Sequence, residues 1–306
     1  MSQDQPQQPP VVPELTPVPA GTPAPGAPAD PAVRPNRAGR NLPAAFAVGI
    51  GLGVLVLASL LVVRVGFLGV VVLAGLVGIW ELSNALASNG TKVPVVPVSL
   101  GGVAMLVGAW AGGAELLVVA AGLSVVGVLV WRLPYGPAGF VRDITAAMFV
   151  LAYVPLLGAF VVLMLVPDDG AQRIIAYIVA TVASDCGGYA LGVLAGRHPM
   201  APSISPKKSW EGFAGSVLGS ALAGWLLVAY LLDGRAWVGV LLGLATALAA
   251  TVGDLSESLL KRDLGVKDMG SLLPGHGGMM DRLDSILFVA PVAWFVLNQL
   301  VPVAGG

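Results

Sequence analysis

Apolar runs of membrane-spanning length recur from residue 44 almost to the C-terminus, and they constrain the fold more than any other feature. A bilayer core about 30 Å thick needs roughly 17–25 apolar residues per helix. Segments near that length occupy 44–63, 65–82, 94–110, 114–131, 143–166, 173–195, 213–232, 237–253 and 285–303. Charged residues make up only 11% of the chain, against about 25% in soluble domains. The reading is an all-α integral membrane protein, a polytopic bundle of about nine transmembrane helices over residues 41–306.

Residues 1–40 stand apart, with eleven prolines and no apolar signal-peptide core. Such a composition cannot bury a core, so the segment reads as a disordered, proline-rich cytoplasmic tail. The one cysteine, Cys186, excludes an internal disulfide.

Charge distribution sets the orientation. With the N-terminus inside, cytoplasmic segments hold thirteen of the sixteen Lys and Arg residues, and outside loops hold Arg64, Arg173 and Arg235. This bias places the N-terminus in the cytoplasm and, with nine spans, the C-terminus outside. The two longest cytoplasmic loops, 196–212 and 254–284, then become the natural place for a polar active site.

The second of these loops contains "KRDLGVKDMGSLLPGHGGMMDRLDS", residues 261–285, with eight of the chain's charged residues. A helix over "DLSESLLKR" aligns Asp254, Glu257, Ser258 and Lys261 on one side, with Glu257 and Lys261 in the favourable order for an ion pair. A new helix after "PGHGG" puts Asp281 and Asp284 on one face. If Asp254 faces that pair, three carboxylates converge, and such a cluster needs cations between its members. Hard oxygen ligands of this kind suit Mg²⁺ shared with substrate phosphates. Lys261, Arg262, Lys267 and Arg282 would meet phosphate charge, and the glycines allow close backbone approach to a phosphate. Acids for metal and bases for phosphate together indicate nucleotide or phosphoryl chemistry. A loop that only anchored topology would need the cations alone.

The first loop, "GRHPMAPSISPKKSWEG", offers Ser203, Ser205, Lys207, Lys208 and Ser209 for phosphate capture, or a positive anchor beside an interfacial Trp210. Asp185 lies within an apolar span, where an ionisable residue is expensive and marks function by default. Gly187, Gly188 and Gly192 beside it permit close approach of a neighbouring helix. Glu81, Glu115 and Asp143 read as span-boundary residues. His276, between glycines, suits either phosphate or proton handling or a turn.

These residues resemble a known family. Ser258, Lys261, Arg262, Lys267, Asp268, Gly270, Pro274, "HGG" at 276–278, Asp281, Arg282 and Asp284 fall at the spacing of the phosphatidate cytidylyltransferase (CDP-diglyceride synthetase) signature. "SPKKSWEG" and "SDCGGY" look like its companion motifs, with Ser209 and Cys186 as departures. The resemblance covers about residues 40–303. It implies transfer of CMP from CTP to phosphatidic acid, dependent on one or two Mg²⁺ ions, at the inner face of the plasma membrane. It implies metal ligation by Asp254, Asp281 and Asp284, with Asp185 completing the site or orienting a lysine. Lys207, Lys208, Lys261 and Arg262 would neutralise phosphate, and Lys267, Asp268, His276 and Arg282 would shape the pocket. Ser203, Ser205, Ser209, Ser258, Gly277 and Gly278 would contact substrate. The partners are then CTP, phosphatidic acid and the bilayer, with no nucleic acid; a homodimer is left open.

Two rivals fit less well. The CDP-alcohol phosphotransferase pattern is absent, and "DRLD" has the wrong spacing for it. A transporter using Asp185 would call for two similar halves and a midplane site, whereas the charges here gather at one face.

Overall fold

The computed structural model describes residues 42–270, 272 and 277–303, with side chains from residue 49. The proline-rich segment 1–40, Pro274 and His276 lie outside the described residues. Helices α1 (Leu42–Val62) and α2 (Arg64–Ser88) are joined by the single extended residue Val63. Helix α3 (Val95–Arg132) is interrupted at Gly112 and Gly113, the latter at φ +61°. There the chain doubles back: a Cβ placed on Gly101 would fall 2.6 Å from Ser124 Oγ. A straight helix would hold those positions roughly 34 Å apart. Gly113 makes the reversal because its φ is one that a side chain would strain.

Helices α4 (Phe140–Leu151) and α5 (Leu157–Leu165) run through a π-helical turn at Ala152–Leu156. Pro155 sits inside that turn, where its missing N–H removes a helical hydrogen bond. After α6 (Gly170–Ala195), the loop expected over 196–212 is a hairpin of β1 (Pro199–Ala201) and β2 (Ser205–Ser209). Three helices complete the chain: α7 (Trp210–Tyr230), α8 (Ala236–Leu264) and α9 (Met280–Leu300).

Seven segments among the described residues are long and apolar enough to cross a membrane, and Gly49–Val62 is a shorter apolar helix. The protein is therefore a multi-pass, all-α membrane protein. By length and composition the count is seven, against the expected nine. The difference lies in α3, which contains both expected spans 94–110 and 114–131 in one continuous apolar segment, and in α1.

Helices α6, α7 and α8 pack through small residues, which let backbones approach where lipid provides no hydrophobic drive. A Cβ on Gly215 of α7 would lie 2.2 Å from the Gly187 carbonyl of α6. Another on Gly224 of α7 would lie 2.2 Å from the Gly239 carbonyl of α8. The expectation that Gly187 and Gly188 admit a neighbouring helix is met by α7.

The opposite end of the bundle is pinned by Arg173, buried near the start of α6. Its guanidinium pairs with Asp169 at 2.7 Å and donates to the carbonyls of Leu297 and Val301 at 2.7 and 3.0 Å. Both carbonyls lie at the C-terminal end of α9, where that of Leu297 also accepts the Val301 N–H at 3.2 Å. At the other end α8 runs to Leu264, further than a loop beginning at residue 254 would allow. It stops at Gly265 (φ +67°), where Val266 N donates to the Lys261 carbonyl, a left-handed glycine cap.

Candidate functional site

At that end, α6, β2, α7, α8 and α9 surround a cavity of about 510 Å³. Every element but α7 contributes charge. Asp185 comes from α6, Lys207 and Lys208 from β2, Asp254 from α8, and Asp281, Arg282 and Asp284 from the first turns of α9. Ser209 also lines the cavity, although its hydroxyl accepts the Gly212 N–H at 3.1 Å and so caps α7.

Lys208 is ion-paired with Asp254, which ties the hairpin to α8. Lys207 is exposed beside it. Asp284 accepts the backbone N–H of Ser285 at 2.7 Å. Asp281 is held more firmly. It accepts the N–H of Gly278 at 2.7 Å and that of Met269 at 3.1 Å, and it pairs with Lys261 at 2.5 Å. Lys261 also bonds Glu257 at 2.8 Å, the pair expected from the i+4 spacing. Lys261 is not among the residues lining the cavity; it sits behind that wall and fixes Asp281.

The remaining expected residues lie around this centre. Arg262 donates to the Ser203 carbonyl at 2.7 Å, joining the end of α8 to the hairpin turn. Ser203 is exposed, and Ser205 opens β2 half-buried. Ser258 is half-buried on α8, away from the cavity lining. Lys267 and Asp268 are exposed after α8. Gly277 is at φ +80°, and a Cβ there would meet Asp281 at 2.9 Å and Asp268 at 3.5 Å. His276 lies outside the described residues.

Two acidic residues read from sequence as span boundaries are buried, Asp143 in the first turn of α4 and Glu81 within α2. Asp143 is 2% exposed and pairs with Arg132 at 3.2 Å. That pair, with the Lys92 N–H on Asp143 and Arg132 donating to the Gly136 and Ala138 carbonyls, clamps the ends of α3 and α4. Glu81 on α2 is 1% exposed and accepts the Met280 N–H at 2.9 Å. An acid inside "GIWELSNAL" is the signal that could have marked Glu81.

The donor chemistry fits a hard divalent cation that shares its ligands with substrate. Among the described residues no three His, Cys, Asp or Glu side chains form a group that would hold a metal unaided. Mg²⁺ ordinarily takes one or two carboxylates, with waters and substrate phosphates completing the shell. Asp185, Asp254 and Asp284 face the cavity with that capacity. The oxygens of Asp281 are already occupied by Lys261, Met269 and Gly278.

The sequence matches the profile of the cytidylyltransferase family over residues 44–300. The chain belongs to that family. Its relatives include the phosphatidate cytidylyltransferase of Mycobacterium bovis, 42% identical over 295 residues, which are 92% of this chain and 96% of that protein. That of Mycobacterium leprae is 43% identical over 282 residues, 86% of this chain and 90% of the relative. A cyanobacterial one, from Synechocystis, is 46% identical over 123 residues, 40% of this chain and 41% of its own. In this cytidylyltransferase the cavity unites both charged loops that the sequence singled out, on one side of the bundle.

Proposed function

We propose that this chain is a phosphatidate cytidylyltransferase, moving CMP from CTP to phosphatidic acid to give CDP-diacylglycerol and pyrophosphate. The observation that carries the reading is the cavity in which β2 lysines face carboxylates of α6, α8 and α9. The relatives that span most of this chain bear that activity in their names.

An oxygen of the lipid phosphate attacks the α-phosphorus of CTP. The bond from that phosphorus to the bridging oxygen breaks, and pyrophosphate leaves with the electron pair. The nucleophile is already anionic, so the obstacle is charge repulsion and orientation rather than proton removal. Lys207, Lys208 and Arg282 would hold the phosphates of the two substrates against that repulsion. Asp254 and Asp284, with Asp185, would bind Mg²⁺, which when present neutralises the developing pyrophosphate charge. Lys261 keeps Asp281, and with it the first turn of α9, in register with α8.

The site would open at the cytoplasmic face of the plasma membrane. Nine crossings follow if α1 and both arms of α3 each span, which places the N-terminus inside and the C-terminus outside. The thirteen-to-three distribution of Lys and Arg supports that orientation.

The test is a cytidylyl-transfer assay on the purified protein in detergent micelles containing phosphatidic acid, CTP and Mg²⁺. CDP-diacylglycerol and pyrophosphate should appear in equal amounts. No pyrophosphate release with phosphatidic acid present would overturn the reading.

A further inference from the structure

Glu81 lies on α2, outside both charged loops, and 199 residues separate it from the backbone it binds. Its Oε2 accepts the Met280 N–H at 2.9 Å, so a carboxylate sits at the N-terminus of α9. The same side chain is wedged between two glycines of the signature segment. A Cβ on Gly270 would fall 2.3 Å from Glu81 Oε1, with the next two nearest atoms also belonging to Glu81. A Cβ on Gly278 would fall 2.6 Å from Glu81 Oε2. Below it, Gly78 packs one turn earlier on α2 against Met280 Sδ, 3.5 Å from where a Cβ would stand. Oε1 has no hydrogen-bonding partner among the described residues.

Burying a carboxylate costs free energy unless its bonds offset the loss of water. Membrane stability alone would be served by an apolar residue at this position. The geometry points to Glu81 as a positioning residue: its carboxylate holds Gly270, Gly278 and the first turn of α9, which sets where Asp281, Arg282 and Asp284 stand in the cavity. A side chain at 270 or 278 would collide with Glu81, which fills the space it would take. This assignment rests on the cytidylyltransferase reading for its effect on rate, and on packing alone for the contact.

The experiment is a double-mutant cycle between Glu81→Ala and Gly270→Ala, with Glu81→Gln as the conservative variant. Cytidylyl transfer and the unfolding midpoint are both measured in detergent. Displacing α9 by a fraction of an ångström should lower kcat of Glu81→Ala by about tenfold or more, with KM for CTP changed less than about threefold. Glu81→Gln keeps an acceptor for Met280 N–H and should stay within about threefold of wild type. Gly270→Ala should be harmful in the wild-type background and nearly silent beside Glu81→Ala, since the colliding carboxylate is gone. Full activity of Glu81→Ala, or equal cost of Gly270→Ala in both backgrounds, overturns the proposal. A fall in unfolding midpoint with kcat per folded molecule unchanged also overturns it, because a purely structural role predicts that. Should wild type show no transfer, the functional reading fails instead. The cycle is then decided on unfolding midpoints, where absence of coupling between Glu81 and Gly270 sinks the contact.

Discussion

Lys261 of α8 lies 2.5 Å from Asp281 of α9 and 2.8 Å from Glu257 one turn back on its own helix. One ammonium therefore joins two carboxylates that are each only 5% exposed, and it couples the helix carrying Asp254 to the helix carrying Asp284. Lys261→Met leaves both acids buried without their cation, at a cost of about 3 kcal/mol. The unfolding midpoint in detergent should fall, and a Lys261→Met, Asp281→Asn double variant should recover part of the loss. A single variant as stable as wild type would show that the bridge carries no weight.

Asp284→Asn and Asp254→Asn each remove a carboxylate from the cavity and, under the proposed mechanism, part of the metal site. Activity should drop by about 100-fold or more, with the residual rate requiring a higher Mg²⁺ concentration. Chelation of divalent ions should abolish wild-type transfer, and Mg²⁺ should restore it. An unchanged Mg²⁺ dependence in both variants would remove these residues from metal binding.

Lys207 is exposed on β2 and Lys208 is paired with Asp254. Lys207→Ala should therefore act mainly through phosphate attraction, raising KM for CTP by about tenfold with a smaller fall in kcat. Its effect should shrink as ionic strength rises. Steady-state kinetics at two salt concentrations decide the point, and a pure kcat effect would argue for a different role.

Packing of α6 on α7 leaves no space at Gly215, where a Cβ would stand 2.2 Å from the Gly187 carbonyl. Gly215→Val should separate the helices and cost about 3 kcal/mol or more. The expected signs are loss of the monodisperse peak in detergent and loss of activity. Normal thermal stability would contradict the close approach.

Orientation is open to labelling in a Cys186→Ser background. A cysteine replacing Arg197 should react only from the cytoplasmic side, and one replacing Val303 only from outside. Both residues are exposed and both lie beyond helix ends. Labelling of the two from the same side would require an even number of crossings between them, where α7, α8 and α9 supply three.

Much of the site was legible from residue order. The i+4 spacing of Glu257 and Lys261 on one helix leads to their observed bond, and the helix expected after "PGHGG" begins at Met280. Asp185, two lysines and three α-helical aspartates were expected at one place and line one cavity. The hairpin at 199–209 was not legible, because its strands are three and five residues long and pair across a turn rather than along a periodic pattern. Nor was the length of α8, whose polar last turns resemble a loop in composition but stay helical as far as the Gly265 cap.

Sequence alone determined the membrane, the helical class, the two charged loops and the chemistry they could support. Those properties depend on local composition and on spacing along one helix. Only the tertiary structure decided which protein groups hold each acid of the cavity. Asp281 turned inward to Lys261, Gly278 and Met269, and Asp254 met Lys208 from a hairpin 46 residues away. Only the tertiary structure, too, brought Glu81 of α2 to the start of α9. Contacts between distant segments depend on how the helices pack, and no periodicity within a single helix encodes that.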